Sequence, residues 1–193
     1  MTEKEIQDIL LPIIGQFVWG VKQGYGSFLN LEFGKPITEF SRIHKPKGEN
    51  KFPFNEFESR HVTIKGEHSF FICMSNWKIY AKGNILAHDE SERDEIKFAL
   101  GFINGQKLNS ILINTKENIT ELEFDLGGIL VISGKNYADE INEMWNFYTE
   151  SEKVLTYRND RKATYGKATT EYGKEEFSKV NGIITCPNKV YKT

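Results

Sequence analysis

Cysteine is scarce in this chain of 193 residues. There are two, Cys73 and Cys186, far apart and in unlike contexts. Neither stands in a C-x-x-C, so the spacing offers no zinc site and no thioredoxin-like redox pair. Cys73 lies in the apolar run FFICM and reads as a buried thiol, with no basic neighbour to make a thiolate of it. The four histidines, His44, His61, His68 and His88, form no H-x-x-x-H or H-E-x-x-H. No G-x-S-x-G is present, since Ser27 follows a glycine but precedes Phe28. No apolar run approaches the ~18–20 residues a membrane span needs. The N-terminus starts acidic and its apolar stretch is broken by Pro12, which is not a signal peptide. These absences lead to the expectation of a cytoplasmic, reducing location without metal, cofactor or membrane.

Charge of one sign is also lacking overall, at a formal −2. Its distribution is uneven. Residues 153 to 193 carry nine Lys or Arg against four acids, which leaves −7 for residues 1 to 152. An acidic body with a basic tail argues against a nucleic-acid grip by the body and for a basic protein partner. Apolar residues make up 39% of the chain and there are 14 Phe, enough for a folded core without staples.

Thr2 and Glu5 form a capping-box pattern, with Ile6, Ile9 and Leu10 on one face; the helix they predict stops near Pro12. Two strand-like runs follow, separated by Gly24-Tyr25-Gly26-Ser27. A phosphate loop needs a helix after its glycines, because the helix N-terminus supplies amides and a positive end. Here Leu29, Leu31 and Phe33 alternate with Asn30 and Glu32, so the glycines read as a hairpin tip.

Residues 35 to 57, with Pro36, Pro46 and Pro53 among phenylalanines and lysines, read as a long irregular connection. Phe52 to Phe57, exposed aromatics near basic residues, give a weak RNA-binding signal. Residues 60 to 80 read as up to three strands with a turn at Lys65-Gly66-Glu67, across which His61 and His68 approach one another. The run DESERDEIKFALGFINGQ predicts a helix with acids in its first turn and Gly105 at its stop. Strands follow at KLNSILINT, TELEFDL and ILVIS, with a hairpin from MWNFYT to KVLTYR. Leu29, Leu31, Phe33, Leu122, Phe124 and Leu126 are expected in the core.

The row Glu121, Glu123, Asp125 is the candidate partner-binding site. Same-face strand residues are roughly 6.5–7 Å apart, too far for one metal but well spaced for a line of Lys or Arg. A hydrolytic carboxylate pair would need Glu32 on a neighbouring strand. No catalytic residue and no metal ligand is assigned.

The expectation is therefore an α+β fold. It has a mainly antiparallel sheet, as a meander or two packed sheets of eight to ten strands, with an N-terminal helix and one mid-chain helix. Residues 1–158 form the domain, and 159–193 a polar basic tail, partly ordered at most, that adds little stability.

Four stretches together carry a resemblance. They are WGVKQGYGSFLNLEFG at 19 to 34, KGEHSFFICMSNWKI at 65 to 79, FDLGGIL at 124 to 130 and VLTYR at 154 to 158. From Trp19 to about Tyr165 the chain resembles a widespread family of small bacterial proteins of unknown function. It departs from that pattern at 68 to 71, where His-Ser-Phe-Phe replaces a Trp-containing run. The resemblance implies no catalytic residues. By analogy of size and charge it suggests a non-catalytic protein-binding module of the immunity type, an inhibitor of a toxin. The rival expectation is a small enzyme with its site at the 35–57 loop and the Gly24–Gly26 turn.

Overall fold

A computed structural model describes residues 1–43, 59–134, 140–170 and 173–187. His44, Pro46, Phe52, Pro53, Phe54 and Phe57, and with them most of the 35–57 connection, lie outside the described residues.

Helix α1 (Glu3–Leu10) forms where the capping box predicts it. Thr2 Oγ1 accepts from the Glu5 amide at 3.3 Å and Glu5 Oε2 accepts from the Thr2 amide at 2.7 Å. A 3-10 turn, Leu11–Ile13, carries Pro12. Strands β1 (Val18–Gln23), β2 (Leu29–Phe40), β3 (Val62–Ile72), β4 (Ser75–Ala81) and β5 (Asn84–His88) follow. Helix α2 (Arg93–Ile103) buries Ile96, Ala99, Leu100 and Ile103 and ends at Gly105, whose φ is +91°. Then come β6 (Leu108–Asn114), β7 (Ile119–Phe124), β8 (Gly128–Gly134), β9 (Glu143–Tyr148), β10 (Lys153–Arg158), β11 (Lys162–Lys167), β12 (Ser178–Lys179) and β13 (Ile183–Cys186).

The fold is α+β and mainly antiparallel. One sheet has seven strands in the order β1-β2-β3-β9-β10-β11-β12, and the other six in the order β13-β6-β7-β8-β4-β5. Alternation decides what faces in. Leu31, Phe70, Phe147 and Leu155 stand side by side across the first sheet, and Leu29, Ile72, Trp145 and Tyr157 form the next row. Ile111, Leu122, Leu130 and Ile79 form a row of the second sheet. All of these are buried in one core. A polar bond crosses it: Trp145 Nε1 donates to Thr120 Oγ1 at 2.9 Å, satisfying an indole that burial would otherwise orphan. Helix α1 packs on β13, and α2 on β5 and β1.

Five expectations change. Gly66 is no turn but lies within β3, because a side chain there would come within 2.3 Å of the Phe33 carbonyl oxygen. His61 and His68 therefore lie along one extended run, roughly 23 Å apart at ~3.3 Å per residue, and cannot share a metal. Lys35 to Phe40 are strand, with Pro36 to Phe40 paired with Val62 to Gly66. Leu126 is 71% exposed: β7 ends at Phe124, and Leu126 sits in the turn before Gly127. Lastly, residues read as a tail complete both sheets. β11 pairs with β10 and β13 with β6, and Ala163, Val180, Ile184 and Cys186 are buried. That raises the strands to thirteen among the described residues.

Candidate functional site

The glycine tip is a hairpin. The Gly24 amide donates to the Phe28 carbonyl at 2.8 Å, and Tyr25 at the apex is 91% exposed. The motif around it serves the fold. Gly20 has a φ of +59° at a bulge opposite Leu31, and a side chain there would press on the Glu32 Cγ at 3.1 Å. Gly34, at +78°, makes a second bulge against β3, and its carbonyl accepts from Trp19 Nε1 at 2.9 Å. Glu32, only 5% exposed, lies between these bulges. Its carboxylate accepts from the Gly66 amide at 2.8 Å, from Asn30 Nδ2 at 2.6 Å and from the Ser69 hydroxyl. Trp77 Nε1 donates to the Ser27 carbonyl at 2.9 Å, tying the hairpin to the second sheet. Thus Trp19, Gly20, Ser27, Glu32 and Gly34 each have a structural task.

The acidic row is placed only in part as expected. Glu121 and Glu123 lie on the outer face of β7, alternating with buried Thr120, Leu122 and Phe124. Asp125 lies past the strand end, where Oδ1 accepts from the Lys107 amide at 2.8 Å. Glu123 Oε2 accepts from Ser110 Oγ at 2.9 Å. Around the pair, half-buried Leu112, Ile119, Ile129 and Val131 point outward from β6, β7 and β8. Lys78 and His88 follow in the same row two and three strands away. Glu32 is on the outer face of the other sheet; packed sheets are ~10 Å apart, so it forms no carboxylate pair with Glu121 or Glu123.

A second feature has no counterpart in the sequence reading. On the outer face of the first sheet is a groove of about 580 Å³, within the range of ligand sites. Its floor holds Phe71, Cys73, Glu143 and Asn146; Phe28, Tyr148 and Phe177 line it. Residues 173–177 border it, and Arg158 lies over the Phe177 ring, 3.9 Å from its centre. The floor is a polar network: Thr156 Oγ1 donates to Asn146 Oδ1 at 2.6 Å, and Asn146 Nδ2 donates to Glu143 Oε2 at 2.8 Å and reaches Cys73 Sγ at 3.2 Å. Asn142 Nδ2, also at the groove, is buried without an acceptor. Asp160 holds Arg158 at 2.5 and 3.0 Å. Burial opposes ionisation of Asp160, but the bonds and charges of Arg158 and Lys162 outweigh it and keep its carboxyl below the ordinary value.

Two titratable groups of the groove are shifted toward their neutral forms. Burial, reinforced by the Glu143 charge, pushes the Cys73 thiol up to about 12 despite the Asn146 hydrogen bond, so at neutral pH it is a protonated weak nucleophile. Burial likewise raises the Tyr148 phenol. His68, whose burial lowers its pKa, stacks on Phe147 and lines a different hollow. Among the described residues no three His, Cys, Asp or Glu gather to hold a metal, and no helix is long and apolar enough to cross a membrane. The groove's residues come from five separate segments of the chain, and only the run at 69 to 74, apolar on both faces, hinted at a covered outer face. Comparison with protein-family models, curated proteins and solved structures found no match.

Proposed function

We propose that the protein is a non-catalytic binding module of the immunity type, acting in the bacterial cytoplasm, whose partner is a basic protein surface laid on the outer face of the second sheet. The observation that carries this reading is the composition of that face: Glu121 and Glu123 stand among half-buried Leu112, Ile119, Ile129 and Val131. Apolar side chains supply area to bury, and the carboxylates select a cationic partner and speed encounter. Exposed pairs contribute only ~0–1 kcal/mol each, so the apolar residues must hold the complex. The family resemblance of the motif is consistent with this role but assigns no residue to it. The free, buried thiols suit a reducing compartment.

The test is comparative capture. Wild type and an E121Q/E123Q double variant are used as bait, and the association rate of the retained protein is measured at two salt concentrations. The reading expects a basic partner, slower association for the variant and a weaker salt dependence. An unchanged rate with unchanged salt dependence removes this face from the mechanism.

A further inference from the structure

We propose that the groove on the first sheet is a second binding site, one that takes an arginine side chain presented by a partner protein. It is independent of the second-sheet interface. The argument starts from Glu143. Its cross-strand neighbour is Arg158, the natural counter-ion. Arg158 lines the same groove, but its guanidinium is engaged elsewhere: Asp160 binds it at two atoms and it lies over the Phe177 ring. Glu143 keeps one neutral donor, Asn146 Nδ2, and forms no ion pair among the described residues. A carboxylate facing a concave, aromatic-lined space and left without its cation is chemically complementary to a guanidinium.

The walls fit the same ligand. Phe28 and Phe71 meet edge to face, with centres 5.6 Å apart, and Tyr148 lies on the opposite strand of the floor. A planar cation stacks on such rings, and Arg158 on Phe177 already shows that arrangement here. Asn146 is fixed by Thr156, which holds its amide toward Glu143 and leaves the second carboxylate oxygen to an incoming donor. Arginine is preferred over lysine because its fork matches a carboxylate and its plane matches a ring. Proton transfer is not involved; the site recognises charge and shape.

The experiment uses the full chain and three probes: acetyl-Gly-Arg-Gly-amide, the same peptide with citrulline, and free arginine. Binding is followed by amide chemical shifts, including the Asn146 side chain. The Arg peptide is expected to shift Asn146 and residues near Tyr148, and citrulline, its neutral isostere, to bind about tenfold more weakly, as loss of a charge-assisted bond implies. Glu143→Gln is expected to lose about tenfold for the Arg peptide and nothing for citrulline. Should that variant melt early, Phe28→Leu supplies a second readout, with about a threefold loss. The E121Q/E123Q variant is expected to bind the Arg peptide like wild type. Equal binding of arginine and citrulline peptides, or undiminished binding by Glu143→Gln, overturns the proposal. So does tighter binding of free arginine than of the peptide, which would make the groove a small-molecule site.

Discussion

The outer faces of the two sheets solve opposite problems. The first sheet turns polar groups outward and then buries them. Glu32, Asn146 and Thr156 are all nearly inaccessible, and each has its hydrogen bonds made within the chain. The second sheet turns apolar groups outward and leaves them half-buried, with Glu121 and Glu123 among them. A buried polar group needs fixed partners, so the first face is rigid and specific. A half-buried apolar group needs only cover, so the second face is suited to a flat partner. Residues 173–177 reinforce the contrast, because they border the groove on the first sheet.

The largest test of this contrast removes what completes the sheets. Truncation after Asp160 deletes β11, β12 and β13, and with them buried Ala163, Ile184 and Cys186 of β11 and β13 and buried Val180 just past β12. It also strips the groove of residues 173–177. Loss of a cooperative melting transition is expected, and a truncated chain that melts like the whole one would reduce these strands to decoration. Next is Glu32→Leu, which leaves the Gly66 amide and the Ser69 hydroxyl without an acceptor. A cost of about 1–3 kcal/mol is expected from denaturant midpoints. A neutral outcome would show that the buried polar face is not held by its bonds.

An effect of another kind, set by pH, is expected in alkali. The folded state holds Cys73 near 12, whereas an unfolded thiol ionises near ~8.5. Stability is therefore whole below that lower value and falls as pH rises toward the upper one. Cys186, raised by burial to about 11, adds to the same slope. Cys73→Ala should lose less stability than wild type between these limits, and equal pH slopes would place Cys73 in contact with water. The smallest effect belongs to the other face. Gln at 121 and 123 is expected to change stability by no more than about 0.5 kcal/mol. A larger loss would mean that these carboxylates, like Glu32, serve the fold rather than a partner.

Much of the fold was legible because its signals are local. A capping box depends on residues three apart, and a half-buried strand alternates over five or six residues; Thr2–Glu5 and Leu29–Phe33 were read correctly for that reason. Leu126 misled because alternation continues past the strand end in the sequence but not in the chain's path. Gly66 misled because glycine marks turns as well as close approaches, and the approaching atom, the Phe33 carbonyl oxygen, is more than thirty residues away. The polar tail misled because an edge strand buries only alternate residues, too few in β13 to make a period.

By itself, then, the sequence determined the class of fold, both helices, most strands and the placing of Glu121 and Glu123 on an outer face. Those follow from short-range periodicity and from end effects in helices. Tertiary structure alone decided that Glu32 is buried among donors, that Phe177 lies under the Arg158 guanidinium, and that residues 173–177 line a groove with Phe28 and Tyr148. Each depends on which segments meet across the sheet, and pairing between distant strands leaves no periodic trace in the chain.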